Sequence, residues 1–216
     1  MEITVKQMMQ IEENGHQMGF PRKMMMENAG AAAARYIVEK FPNISSKKIV
    51  VFAGLGNNGG DAFVAARHLA GYDADVKVIL LGNPEKIKTE EGRTNWKLLE
   101  KMNSLDLIVA SDIHGLDLEA DIIIDGILGT GISGKIKEPH ASAINMINKS
   151  KAFKLALDVP SGLDPDTGNI DDKCVKADAT ITFHKMKVGM PKRMDMCGII
   201  LVEKIGIPQE AEVGVL

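Results

Sequence analysis

At 216 residues and 45% hydrophobic content, the chain is long enough to bury a full core and is expected to form one large domain over 1–216. A formal net charge of −3, with no basic stripe, argues against a protein that holds nucleic acid by neutralising its phosphates. Cys174 and Cys197 lie too far apart to suggest a zinc motif or a disulfide framework. With no membrane-length apolar run and no signal-like N-terminus, a cytoplasmic protein with no membrane partner is expected.

Thr4 is placed to cap a first helix through about residue 13, and a second follows Pro21 and runs to Phe41, where Pro42 stops it. Strands are predicted at 48–53, 75–81, 105–110, 121–125, 153–157, 179–183 and 199–202. Helices interleave at about 61–71, 86–102 and 139–150. A run such as Ile122-Ile-Ile124, apolar at every position, fits a parallel strand buried on both faces. The alternation predicts an α/β fold: a three-layer αβα Rossmann-like sandwich with a mostly parallel sheet and an N-terminal helical extension.

The first strand feeds Gly54-Leu-Gly-Asn-Asn-Gly-Gly-Asp61, and an amphipathic helix pattern follows at once. This is the strand, glycine loop and helix context in which backbone N–H groups hold a phosphate. Gly54, Gly56 and Gly59 satisfy the dinucleotide spacing. A nicotinamide-cofactor domain, however, carries an acid about 20 residues on, at the tip of the second strand. Here Val76-Lys-Val-Ile-Leu-Leu81 runs into Gly82-Asn83 instead, which weakens a dehydrogenase reading. No Lys-Ser/Thr pair follows the glycines, so a P-loop is excluded. Asn57, Asn58 and Asp61 add oxygens that a phosphate loop does not need. Asp61 therefore points to a helix cap, a ribose contact or a nearby cation.

Ligands of such sheets sit outside the carboxyl ends of the strands. Three more segments fall there: Asp125-Gly-Ile-Leu-Gly-Thr-Gly-Ile-Ser-Gly134, Asp158-Val-Pro-Ser-Gly-Leu-Asp164, and Thr182-Phe-His-Lys-Met-Lys-Val-Gly189. The last is expected to bring His184, Lys185 and Lys187 to the same rim. Asn58, Asp125 and Ser161 are hard oxygen donors without a thiolate or histidine cluster, a set suited to an alkali or alkaline-earth cation. Asp158 fits a general base, a ribose contact or a turn carboxylate, and Lys135 a phosphate contact or a surface lysine. A hydrolase triad of Ser161, Asp158 and His184 is disfavoured, because Val159-Pro-Ser-Gly lacks the leading glycine of a nucleophile elbow.

Taken together and in order, Met26-Glu-Asn-Ala-Gly30, Gly56-Asn-Asn-Gly-Gly-Asp61, Asp125-Gly-Ile-Leu-Gly-Thr-Gly131, Asp158-Val-Pro-Ser-Gly-Leu-Asp164 and Ala177-Asp-Ala-Thr-Ile-Thr-Phe183 resemble the YjeF N-terminal domain family, the NAD(P)H-hydrate epimerases. The resemblance covers nearly the whole chain. It implies an isomerase that interconverts the R and S forms of hydrated NADH and NADPH at C6, so that a dehydratase can restore the S form. It also implies a Rossmann-like fold, a homodimer and a bound potassium ion. Carried over by position, Asn57, Asn58, Gly59, Gly60 and Asp61 form one substrate loop. Gly129, Thr130, Gly131, Ile132, Ser133, Gly134 and Lys135 form the second. Asp158 is the substrate-contacting carboxylate and the expected catalytic acid/base, and Asn58, Asp125 and Ser161 are the potassium ligands. Two positions depart from the pattern: Ala62 follows Asp61 where many relatives have glycine, and His184 follows Phe183 where many have glycine. The ribokinase-like dehydratase often fused to this family is missing, so a separate ADP- or ATP-dependent dehydratase is expected. The competing reading is a non-catalytic nucleotide-binding or scaffold module of the same fold.

Overall fold

A computed structural model describes residues 2–113, 115–116, 118–130 and 134–216. In chain order the elements are β1 (Glu2–Ile3), α1 (Val5–Gln17), α2 (Arg22–Lys40), β2 (Lys48–Ala53), α3 (Asn57–Ala70), β3 (Asp75–Leu81), α4 (Glu90–Leu99) and β4 (Asp106–Ala110). They continue with β5 (Ile122–Gly126), α5 (His140–Lys149), β6 (Phe153–Leu157), β7 (Ala179–Phe183), β8 (Met186–Lys187), α6 (Met194–Cys197) and β9 (Ile199–Glu203). Seven strands form one sheet in the order β4-β3-β2-β5-β6-β7-β9, and every pairing in it is parallel.

Alternation along the strands sorts the core into two layers. Ile49, Val51 and Ala53 of β2 face one side with Phe63 and Leu69 of α3 and with Trp96 and Leu99 of α4. Val50 and Phe52 face the other side with Ala143, Ile144 and Ile147 of α5. Each fully buried large side chain of this kind contributes about 1.5–3 kcal/mol through the apolar surface it removes from water. The three layers predicted from the βα alternation are therefore present. No helix among the described residues is long and apolar enough to cross a membrane.

Three helix boundaries differ from the predicted ones, each for a local reason. Helix α3 begins at Asn57, inside the glycine loop, with Gly56 as an extended N-cap and Gly60 N donating to Gly56 O at 3.2 Å. Helix α4 begins only at Glu90, because Asn83 caps a separate 3-10 turn and the Thr89 side chain accepts from Gly92 N. Helix α1 continues past residue 13 to Gln17, where Gly15 is buried and Asn14 Nδ2 donates to Ala211 O at 2.9 Å.

The chain order places the site. From β2 the chain winds through α3, β3 and α4 to β4 on one side, then returns with β5 on the other side of β2. The carboxyl ends of β2 and β5 therefore flank a topological switch point, where an open parallel sheet leaves a crevice for a ligand. The N-terminal extension is fastened beside it. Strand β1 pairs with β8, Ile3 opposite Lys187, and Val188 N donates to Ile3 O at 3.1 Å. A capping box of Thr4 and Gln7 then starts α1.

Candidate active site at the switch point

Immediately beyond β2, the chain turns so tightly into α3 that a Cβ on Gly59 would lie 2.0 Å from Gly54 O. Only glycine permits that approach, and it brings the first turn of α3 down onto the strand end. Gly56 offers no capping side chain, so the first N–H groups of the fourteen-residue helix α3 point outward without a side-chain cap. That is the anion-binding geometry of a helix N-terminus. Helix α2 holds the loop from behind. Its Glu27 bonds Arg67 and His68 of α3, and a Cβ on Gly30 would lie 2.4 Å from Val64 Cβ. The motif Met26-Glu-Asn-Ala-Gly30 thus fastens the glycine loop. Asn28 ties it to the C-terminal segment by donating to Ile205 O at 2.8 Å.

Asn58, Asp125 and Ser161, which come from three separate segments, meet around Leu128. Asn58 Nδ2 donates to Leu128 O at 3.0 Å, and Leu128 N donates to Ser161 Oγ at 2.9 Å. Ser161 Oγ lies 2.6 Å from Asp125 Oδ1, and Ser161 N donates to Asp125 Oδ2 at 2.8 Å. All three residues are buried. Burial pushes the Asp125 carboxyl up to about 6, opposed by the Ser161 and Ile127 hydrogen bonds. Asn58 Oδ1 is buried with no hydrogen-bond partner among the described residues. An orphaned carbonyl oxygen beside a dry carboxylate costs free energy unless a cation or water satisfies it.

Asp158 stands directly after β6 with φ 60, a left-handed conformation that is uncommon outside glycine. Its carboxylate is held by the Lys187 ammonium, the Thr182 hydroxyl at 3.2 Å and Phe183 N at 3.3 Å. Lys187 is 1% exposed, and its Nζ also donates to Thr182 Oγ1 and Phe183 O. Two further carboxyls lie within electrostatic reach. Desolvation, then Asp158 and Glu12, hold the Asp61 carboxyl well above the usual range, with Lys187 opposing. Burial, then Asp158, pushes Glu12 up to about 7 against Lys187 and Arg22.

Several predicted positions need correction or qualification. Asp61 is not a helix cap, because it is the fifth residue of α3. His184, Lys185 and Lys187 do not share one rim. The buried His184 ring lies 2.9 Å from Glu212 Oε1, and Lys185 Nζ the same distance from Glu212 Oε2. With Glu2, Met186, Val202 and Lys204, His184 and Lys185 line a separate depression. Lys187 alone turns to Asp158. Gly129 and Thr130 are half-buried, and a Cβ on Gly129 would lie 3.4 Å from Asn58 Cβ. Gly134 and Lys135 are exposed, with Gly134 N donating to Asp171. Gly131, Ile132 and Ser133 lie outside the described residues. Glu12 escaped the sequence reading because it belongs to no motif. Lys187 was legible only as a lysine near a strand end. Cys174 and Cys197 are buried free thiols, raised by burial to about 12 and about 11, and so are chemically quiet.

The family described as YjeF-related protein N-terminus matches residues 22–189. Along its full length the chain is 60% identical to the NAD(P)H-hydrate epimerase of Nitrosopumilus maritimus and 59% identical to that of Cenarchaeum symbiosum, covering all of each. It is 45% identical to the bifunctional NAD(P)H-hydrate repair enzyme Nnr of Pyrobaculum aerophilum over 97% of this chain and 42% of that protein. The chain belongs to the YjeF N-terminal family. The crystal structure of the yeast protein YNL200c superposes with a TM-score of 0.84 at 24% identity, over 98% of this chain and 91% of the yeast one, and shares the fold.

Proposed function

We propose that this chain, one YjeF N-terminal-type domain over 1–216, is an NAD(P)H-hydrate epimerase that interconverts the R and S forms of hydrated NADH and NADPH at C6. The observation that carries the proposal is Asp158. It stands at a strand end with a left-handed backbone, its carboxyl is pinned by the buried Lys187, and it lies on the ligand-binding edge of the sheet. A module that only binds nucleotide has no need of such a group. The activity printed for the full-length relatives supports the same reading.

In this reading the outward N–H groups of Asn57, Asn58 and Gly59 take the substrate's phosphate, Gly60 lets the turn lie close to it, and Asp61 stands behind them. The second loop, Gly129, Thr130, Gly131, Ile132, Ser133, Gly134 and Lys135, is assigned to the rest of the nucleotide. Asp158 moves the proton at the C6 hydroxyl, and Lys187 orients its carboxyl group. Asn58, Asp125 and Ser161 would hold a potassium ion. The orphaned Asn58 Oδ1 and the buried Asp125 carboxylate fit a hard cation. Bound there, the ion supplies a fixed positive charge that offsets Asp125 and the substrate's phosphate. A separate ADP- or ATP-dependent dehydratase consumes the S form. In the bifunctional Nnr relatives this chain corresponds to less than half of the protein. We place the enzyme in the cytoplasm as a homodimer, with the exposed Met9, Met18 and Met24 of the N-terminal region available for subunit contact.

The test is direct. Chromatographically enriched R-form hydrated NADH is mixed with the protein, with and without potassium, and conversion to the S form is followed. Protein-dependent equilibration well above the spontaneous rate is expected. Folded protein that binds the dinucleotide yet leaves that rate unchanged would instead be a binding module.

A further inference from the structure

Inverting C6 without net reaction sets a requirement that one carboxylate does not meet. C6 bears the hydroxyl and is bonded to the ring nitrogen. Protonation of the hydroxyl lets the nitrogen lone pair expel it as water, breaking the C6–O bond and leaving a planar C6=N iminium. Water then adds to the opposite face, a new C6–O bond forms, and the added water gives up a proton. One proton is given and one taken, one water leaves and one enters, and nothing is oxidised. The two transfers occur on opposite faces, so they call for two groups, one protonated and one ionised. Because the reaction runs both ways, the two must exchange roles from one direction to the other.

Resting on the epimerase reading above, we infer that Glu12 of α1 is the second proton-transfer group of this site, acting on the face of C6 opposite Asp158. The architecture brings it there from a different element. The β1–β8 ladder sets Ile3 opposite Lys187, and Val5 N donates to Asp166 Oδ1 at 2.8 Å, so α1 starts beside the Lys187–Asp158 pair. The fully buried Ile11 then fixes the rotation of the helix, which leaves Glu12 half-buried and within the field of both Asp158 and Lys187. The groups facing it are Asp158 after β6, Lys187 on β8, Asp61 on α3 and Arg22 at the start of α2. On the C-terminal turn packed against α1 stand Glu210 and Glu212, the latter tied to Lys185.

The charge states suit the division of labour. Asp158 is held by the buried Lys187, whereas Glu12 is raised to about 7 by burial and by Asp158. A group poised near the working pH passes a proton in either direction. Asp61 is the weaker candidate. It follows Gly59 and Gly60 on the phosphate-side helix, beneath the turn assigned to the phosphate.

The experiment compares the full chain with Glu12→Gln and Glu12→Asp on enriched R-form hydrated NADH, across pH and in heavy-oxygen water. The wild type is expected to take up label at C6 with each inversion, above spontaneous exchange. Glu12→Gln should lower kcat by about a hundredfold or more, shift KM only slightly and lose the rate inflection near neutral pH. Glu12→Asp should keep an inflection at reduced rate. A wild-type rate and pH profile in Glu12→Gln would overturn the inference, as would inversion by the wild type without label uptake. Should Glu12→Gln lose nucleotide binding, Glu12→Asp decides, and an inflection at the wild-type pH with full kcat overturns it. A wild type that does not epimerise at all defeats the epimerase reading itself, a distinguishable result.

Discussion

Replacing Asp158 by Asn separates what this residue contributes to stability from what it contributes to the reaction. Asn is among the few residues that adopt φ near 60 without much penalty, so the turn after β6 should persist. What changes is the charge. The Lys187 ammonium, 1% exposed, would keep only the neutral acceptors Thr182 Oγ1 at 3.0 Å and Phe183 O at 3.2 Å. Breaking a buried pair from one side costs about 3–5 kcal/mol. Because Asp158 is 17% exposed, water already screens part of the interaction, and about 2–3 kcal/mol is the expected loss. For a chain of this size that lowers Tm by about 5–10 °C. Asp158→Ala should lose about 1 kcal/mol more, since it adds the left-handed penalty to the same lost charge. The double variant Asp158→Asn with Lys187→Met should recover part of the loss, because no ammonium is left buried without its partner. Urea unfolding measures the first quantity, and conversion of R-form hydrated NADH measures the second, expected to fall 10²–10⁴-fold, on the order found for a lost general acid or base. A variant within about 0.5 kcal/mol of wild type would refute the ion-pair argument. Lost stability with an undiminished rate would leave a structural pair and remove Asp158 from the chemistry.

Gly59→Ala places a Cβ 2.0 Å from the Gly54 carbonyl oxygen, a clash between backbones that no side-chain rotation relieves. A loss of about 1–3 kcal/mol or more is expected, with dinucleotide affinity falling at least in step, as titration calorimetry would show; unchanged affinity would mean that the first turn of α3 does not touch the ligand. If Asn58, Asp125 and Ser161 hold potassium, thermal unfolding should occur at higher temperature in potassium chloride than in choline chloride, by about 2.7 kcal/mol at a hundredfold excess over Kd. Asn58→Ala should erase the difference, and a wild type indifferent to the cation would exclude the site. Glu12 ionises later in the folded chain than in the unfolded one, about 7 against 4.5. Between those values the folded state binds more protons, so its contribution to stability is complete below 4.5 and is lost as pH rises towards 7. Relative to wild type, Glu12→Gln should therefore gain about 1–2 kcal/mol over that window, after allowance for partial exposure. A constant difference in urea-derived stability from pH 4 to 8 would show that Glu12 is not desolvated.

Much of this architecture follows from local pattern. Continuous apolar runs such as Ile122-Ile-Ile124, separated by helical periodicities, specify parallel strands covered on both faces, and the described sheet is parallel throughout. The oxygen cluster was legible too. Asp125 stands at the end of β5, Asn58 and Ser161 follow β2 and β6 within a few residues, and the strand ends of such a sheet converge on one edge. Helix starts were less legible, because caps such as Thr89 compete with the apolar period, and Gly56 caps with its backbone alone.

Other features belong to tertiary structure alone. The pairing of Lys187 with Asp158, 29 residues apart, depends on β8 folding back against β7, the neighbour of β6, and nothing in the local composition of either segment encodes it. Glu12 reaches the same charges only because β1 pairs with β8 and Ile11 sets the rotation of α1. His184 left the rim where its neighbours had placed it when a left-handed backbone and Glu212 drew its ring away. Sequence by itself determined the layers and the edge on which the site lies, since periodicity acts within a few residues. The charge partners and proton affinities were decided by the fold, because they depend on which distant groups share a volume from which water is excluded.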